Sequence, residues 1–366
     1  MGEIGRFYIS ENHTSGTHLA LRWNGRVRFT VPRLKSAQEA CWMTFLPGRL
    51  ELGMRAMASL PRLFGSISCV EAKSLAPIRE AIENEGGLSC CRAGTVGPWS
   101  KESILFLDKE TIEPLYIVKT GTGKAVDLLL QNEAHWLRTL RDQSSLIKHI
   151  PEFVMHHSGI NSSFVVERPI AGAIDHNYGE PHVRFLKKLH EYSHQTLWFK
   201  DSRLYRNMRV RLTDMSGMLS GEWSNRIRAG MQRIEQSLSG APIPLVAAHN
   251  DFTPWNIRID HNIVKVFDWE YADHEQLPLF DPLHFFLLPA GLKREPPAKI
   301  IREMHRALRM CQHTLDAKWN YKPEVQALAY LLNLCTVYLW STRGASESDP
   351  VVISFARVID HLCRGE

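Results

Sequence analysis

The stretch LVAAHNDFTPWNIRIDHNIVKVFDWEYAD, Leu245 to Asp273, decides how the chain is read. Its flanks are apolar, yet it places Asp251, Asn256, Asp268 and Glu270 close together in sequence. Two short strand-like runs, IRI and VKVF, flank the turn residues Asp260, His261 and Asn262. In an antiparallel hairpin the numbers of paired residues have a constant sum, so pairing Ile259 with Lys265 puts Asn256 opposite Asp268. Both side chains then sit at the open end of one hairpin, at the separation that two oxygen ligands of one Mg²⁺ require. Asp251 falls on the loop entering that hairpin. A polar turn before a surface hairpin accounts for any one of these aspartates, but not for the set.

Working outward, LYIVK upstream supplies a second clue. Strand alternation places Leu115, Ile117 and Lys119 on one face, so the lysine points where its apolar neighbours point. In the helix expected over Val126 to Asp142, Leu129, Trp136, Leu137 and Leu140 form an apolar stripe, and Glu133 sits within it. A carboxylate and an ammonium on buried faces are both costly alone, and pairing them with each other is the economical solution. Snorkelling of Lys119, with Glu133 at a rim, is the alternative. Gly94 and Gly97 bracket a short loop between two expected strands, where glycine lets backbone N–H groups approach phosphate oxygens, although such loops are commonly plain hairpin turns. GTGKA at 121–125 is not a P-loop, because Val118 and Ala125 occupy its required glycine and Ser/Thr positions.

Composition sets the outer bounds. In 366 residues, 44 Lys and Arg stand against 39 Asp and Glu, a net charge of +5 that is too small to cover a nucleic-acid backbone. At 44% hydrophobic and 23% charged residues the chain has a globular composition, and its length suggests two or three domains. Seven scattered cysteines without a CxxC pair are expected to be reduced thiols of a cytoplasmic protein. The N-terminal sequence has no secretory pattern, and Arg6 breaks the myristoylation motif. The longest apolar stretch, Ala327 to Trp340, contains Asn333 and is too short for a membrane span, so no membrane partner is expected.

Shifts in pattern divide the chain into an extension over 1–75, partly helical, a β-rich lobe over 76–167, and a helix-rich lobe over 168–366. The second of these reads as an antiparallel sheet with one key helix. In the third, Val183, Leu186, Leu189 and Tyr192 recur at helical spacing, as do Ile301, Met304, Leu308, Cys311 and Leu315.

Taken together, these residues resemble the aminoglycoside phosphotransferase and choline kinase family, relatives of the protein kinases. The resemblance rests on HNDFTPWN at 249–256, FDWE at 267–270, Lys119 and Glu133 in the right order upstream, and Asp281 with Pro282 downstream. It covers about Leu88 to His284 and implies an α+β, bilobal, protein-kinase-like fold. The activity it implies is transfer of the γ-phosphate of ATP, or another nucleoside triphosphate, to a hydroxyl of a sugar, amino sugar or amino alcohol. Asp251 is then the catalytic base or hydroxyl-orienting group, with His249 a clamp on the catalytic loop. Asn256 and Asp268 are Mg²⁺ ligands, Lys119 contacts the α- and β-phosphates, and Glu133 is its ion-pair partner. Adenine is expected against backbone groups near Val166 to Ile170; Pro169 lacks a donor, which leaves Arg168 or Ile170.

Asn250 departs from the family in standing where many relatives have glycine, and Asp268 runs directly into WEYADHE, leaving no peptide-binding activation segment. A small acceptor is favoured over a protein. Its charge stays open between an acidic cluster, Glu270, Asp273 and Glu275, and a basic run, Arg203, Arg206, Arg209 and Arg211. Two other readings remain: a kinase-like nucleotide-binding module without catalysis, and a two-metal hydrolase built from His249, Asp251, Asp268, His274 and His284.

Overall fold

The computed structural model describes residues 7–9, 18–23, 26–45, 67–71, 76–83, 87–94, 99–159, 163–314, 318 and 321–364. They fall into two units, the first comprising Met1–Ile174 with Arg258–His261, the second Asp175–Ile257 with Asn262–Glu366.

The first unit contains strands β1 (Phe7–Ile9), β2 (His18–Trp23), β3 (Arg26–Pro32), β4 (Ile67–Glu71), β5 (Ser89–Ala93), β6 (Glu102–Leu107), β7 (Pro114–Gly121), β8 (Phe153–His157) and β9 (Ser163–Glu167). Its helices are α1 (Lys35–Phe45), α2 (Ala76–Ala81) and α3 (Lys124–Arg141). All nine strands join one sheet in the order β1-β4-β2-β3-β5-β6-β7-β9-β8, each pair antiparallel. Alternation along β6 divides the core in two. Leu105 and Leu107 pack with Cys90, Val31 and the α1 residues Ala37, Cys41, Trp42 and Phe45. Ile104 and Phe106 pack on the opposite side with Cys91, Val118, Val166, Phe164 and the α2 residue Ile78. Each fully buried large apolar side chain contributes roughly 1.5–3 kcal/mol.

The sequence reading of 1–75 as a partly helical extension needs correction. Helix α1 is there, but β1 to β4 continue the sheet, with β3 pairing to β5 through Phe29↔Arg92 and Thr30↔Cys91. RVRFTVP alternates apolar and polar residues as a strand does, and its pairing covers an edge of β5 that would otherwise stay open. The stripe on α3 is also shifted by one residue: Leu130 is fully buried with Glu133, Trp136, Leu137 and Leu140, whereas Leu129 is half-buried.

A disulfide joins Cys41 on α1 to Cys90 on β5. This corrects the expectation of seven reduced thiols and removes that argument for a cytoplasmic location. The two residues are 49 apart in sequence, so their approach depends on α1 docking on the sheet. Cys91, Cys311, Cys335 and Cys363 are free thiols.

In the second unit β10 (His194–Leu197), β11 (Ile243–Ala248) and β14 (Asp273–Gln276) form an antiparallel sheet in the order β10-β11-β14. Strands β12 (Ile257–Asp260) and β13 (Ile263–Val266) form a separate two-stranded sheet. The helices are α4 (Glu180–Tyr192), α5 (Arg203–Asp214), α6 (Gly221–Leu238), α7 (Phe280–Leu292), α8 (Pro297–Thr314), α9 (Pro323–Ser341) and α10 (Pro350–Arg364). The expected α4 stripe is buried at Val183, Leu186 and Leu189, joined by Phe185, which stacks on Phe252 at 5.8 Å. The apolar run at 327–340 lies on α9, whose Ala327 to Leu332 are all buried. No helix among the described residues is long and apolar enough to cross a membrane.

Closing a loop of this size by a disulfide is expected to stabilise the first unit by about 2–4 kcal/mol through the unfolded chain. Reduction, or Cys41→Ser with Cys90→Ser, should therefore lower its melting temperature, and a non-reducing peptide map should recover the two cysteines in one fragment. Identical melting with and without reductant would contradict this.

Candidate active site

Strand β11 ends at Ala248 and delivers the loop His249–Asn256, which Asp281, in the first turn of α7, anchors. Wholly buried, its Oδ2 accepts the His249 N–H at 2.8 Å and its Oδ1 accepts the Asn250 N–H at 2.8 Å. Burial pushes the Asp281 carboxyl up to about 6, although the two N–H groups favour its charged form. Asn250 has φ 62°, the left-handed region that asparagine tolerates better than most residues, and its Nδ2 donates to the Tyr271 carbonyl at 2.9 Å. The departure from glycine at this position therefore leaves the loop conformation accessible.

His249 is fully buried and both ring nitrogens are occupied. Nδ1 accepts the Asp251 N–H at 3.2 Å, and Nε2–H donates to the Phe267 carbonyl at 3.1 Å. The ring meets Trp269 edge-on at 4.7 Å, and burial pushes its pKa down to about 4. With both nitrogens used inside the loop, His249 ties strand end to hairpin.

The Asp251 carboxylate is held from two sides and remains partly open. Its Oδ1 accepts from His284 Nε2 at 3.1 Å and its Oδ2 from Asn256 Nδ2 at 2.7 Å. With Nε2 donating, His284 Nδ1 accepts the Tyr330 hydroxyl at 3.1 Å. Asn256 Nδ2 also donates to the Asp251 carbonyl at 3.0 Å, and among the described residues the side-chain Oδ1 of Asn256 has no hydrogen-bond donor. Asp268 has φ 72° and lies in the electrostatic surroundings of His249 and Tyr271, as Asp251 does.

The hairpin register differs from the one expected. β12 ends at Asp260 and β13 starts at Ile263, leaving His261 and Asn262, both at positive φ, as a two-residue turn with the backbone of type I′. The Phe267 N–H donates to the Asn256 carbonyl at 3.2 Å, so Phe267 stands opposite Asn256, with Asp268 one residue beyond. The sequence reading gave the turn one residue too many.

In the first unit the expected pair is formed: Lys119 Nζ donates to Glu133 Oε1, the lysine 5% exposed and the glutamate 0%. A second carboxylate, Glu167 on β9, lies 3.2 Å from Nζ. Sequence reasoning missed Glu167, whose signal was an acidic residue ending the apolar run SFVVE. It also missed Tyr330, a hydroxyl in the most apolar stretch of its helix, and saw His284 only as a metal ligand.

Gly94 is required by its surroundings, since a Cβ there would meet the Lys101 carbonyl oxygen at 2.2 Å, and its N–H donates to that oxygen at 2.8 Å. Gly97 lies outside the described residues. The Arg168 N–H is engaged by the Glu152 carbonyl at 2.9 Å, which leaves Ile170 of the two expected adenine donors.

Two of the three histidines proposed for a two-metal hydrolase have no ring nitrogen to spare for a metal. His249 and His284 have both nitrogens engaged, and His274 Nδ1 contacts the Ser193 hydroxyl at 3.1 Å. Among the described residues no group of three or more His, Cys, Asp or Glu could hold a metal.

No family model matches the chain, and no curated protein matches it. Solved structures do. A thermostable mutant of aminoglycoside phosphotransferase APH(4)-Ia, in ternary complex with AMP-PNP and hygromycin B, is 13% identical with a TM-score of 0.53, covering 78% of this chain and 97% of that one. The GDP complex of aminoglycoside 2'-phosphotransferase-IIIa is 11% identical with a TM-score of 0.53, covering 80% and 98%. At this identity the likeness establishes the fold, which is the kinase-like α+β fold that the sequence resemblance implied.

Two outcomes follow. Lys119→Met leaves Glu133 and Glu167 buried without their cation and should cost about 3–5 kcal/mol in chemical denaturation. Glu133→Gln keeps Glu167 beside the lysine and should cost distinctly less; equal losses would refute the shared arrangement. His182 and His190, both buried on α4, are held neutral by desolvation down to about 4 and about 3, below their ordinary 6.5. The unfolded chain thus takes up more protons, and stability should fall as pH drops from about 6.5 towards 4, with Asp281 offsetting about one proton of the slope. A melting temperature that rises over that interval would contradict it.

Proposed function

We propose that the protein is a phosphotransferase moving the γ-phosphate of ATP, or another nucleoside triphosphate, to a hydroxyl of a small molecule. The observation that carries this reading is the Asp251 carboxylate, which His284 and Asn256 fix from two sides while about a quarter of the side chain, 23%, stays exposed. A carboxylate so held is suited to orient an acceptor hydroxyl and take its proton as attack proceeds. The new bond joins the acceptor oxygen to Pγ, and the bond from Pγ to the β–γ bridging oxygen breaks, releasing the nucleoside diphosphate. Alignment of the acceptor can contribute about 7–11 kcal/mol of barrier reduction without covalent work by the protein.

Asn256 and Asp268 would hold Mg²⁺, for which the oxygen-only donor set and the unpartnered Asn256 Oδ1 are suited, phosphates and water completing the shell. The metal would supply charge neutralisation on the transferring phosphoryl group. Lys119 is the cation for the α- and β-phosphates, oriented by Glu133 and Glu167. His249 keeps the loop in shape, and Gly94 opens the phosphate-covering loop to which the sequence reading also assigned Gly97. Ile170 replaces Arg168 as the backbone donor to adenine. The ligands of the matched structures, AMP-PNP with hygromycin B in one and GDP in the other, support a nucleotide and a small acceptor.

An acceptor screen by ATP consumption tests the reading, with Asp251→Asn as the blank. The variant should lose about a hundredfold or more of turnover while its nucleotide affinity, measured by calorimetry, stays within a few-fold. Full activity in Asp251→Asn would remove Asp251 from this role, and nucleotide binding without any turnover would favour the non-catalytic module.

A further inference from the structure

The charge of the acceptor can be taken further from the second unit. Of the acidic cluster, Asp273 lies 3.6 Å from the Arg203 guanidinium and accepts the Glu275 N–H at 2.9 Å, and Glu275 itself accepts the Arg203 N–H. These carboxylates are already satisfied within the fold, which weakens the case for a cationic amine. Arg206 and Arg209 are exposed on α5, as solvated arginines usually are.

Arg211 differs from all of them. Its Nη2 donates to Asn333 Oδ1 on α9, and among the described residues its buried Nε has no hydrogen-bond partner and no carboxylate pairs with it. Burial alone pulls its pKa down to about 10. The residue as a whole is half-buried, although its Nε is cut off from solvent. A desolvated cation without a counter-charge is costly in a folded chain, and an arriving anion relieves that cost.

Its place in the fold gives the anion a role. Asn333 follows Tyr330 by three residues on α9, about 4.5 Å along the helix axis, and the Tyr330 hydroxyl holds His284 against Asp251. Tyr338 on the same helix, and Tyr271, both lie in the field of Asp251. We propose that Arg211, supported by Asn333, recognises an oxyanion of the acceptor, so that the preferred acceptor carries a carboxylate or phosphate beside the hydroxyl that Asp251 orients. A guanidinium matches either group with paired N–H donors. The inference rests on the phosphotransferase reading.

The test uses the full chain with ATP and a matched set of acceptors: D-glucuronate and D-glucose 6-phosphate against D-glucose and D-glucosamine. Wild type should favour one of the two anions over the neutral and cationic sugars by tenfold or more in kcat/KM, and which anion wins separates carboxylate from phosphate. Arg211→Met should erase that preference mainly through KM, and Arg211→Lys should restore part of it. Preference for glucose or glucosamine overturns the inference whatever the variants do, as does an anion preference that survives in both. If no acceptor is phosphorylated, the phosphotransferase reading fails. The inference is then decided by calorimetric titration of the same two anions, where binding that Arg211→Met weakens tenfold supports it and absence of binding overturns it.

Discussion

The carboxylate of Asp281 takes up two consecutive N–H groups, and the local geometry of the second unit depends on it. Those bonds fix where β11 stops and force the chain through the left-handed turn at Asn250. His249 then bridges Asp251 to Phe267, and Phe267 pairs with Asn256. A loop carrying polar side chains would otherwise be free to satisfy them with water. Here the N–H groups of His249, Asn250, Asp251, Thr253 and Asn256 are all taken up inside the fold, while the Asp251 carboxylate stays partly exposed.

The first unit is organised by a similar economy. Lys119 lies on a buried strand face, so its charge demands a partner, and α3 supplies Glu133 from within an apolar stripe while β9 adds Glu167. The Lys119–Glu133 pair, though not Glu167, was legible in the sequence because the violation of pattern was mutual: one cation and one anion, each where hydrophobic residues belong. The block at 249–256 was legible for a related reason, since its polar residues interrupt a helical region at fixed spacing.

What escaped the sequence has physical causes. The strands before residue 75 are short, and their alternation gains meaning only from pairing with β5, a contact made far along the chain. The Cys41–Cys90 bond depends on the same long-range docking. The hairpin was misplaced by one residue because Asp260, His261 and Asn262 are all turn-formers, and only the backbone distinguishes a two-residue turn among them. Tyr330 and His284 were hidden for another reason: each stands on a helix whose buried face is nearly all apolar, and their bond to one another crosses 46 residues of sequence.

The double engagement of His249 also bears on the response to pH. An imidazole bonded through both nitrogens and neutral down to about 4 adds no ionisation of its own near neutrality. The group of this loop whose protonation lies nearest neutrality is instead its anchor, Asp281, which burial pushes up to about 6, so a loosening of the loop at mildly acidic pH begins at the carboxylate that holds the His249 and Asn250 N–H groups and not at the imidazole.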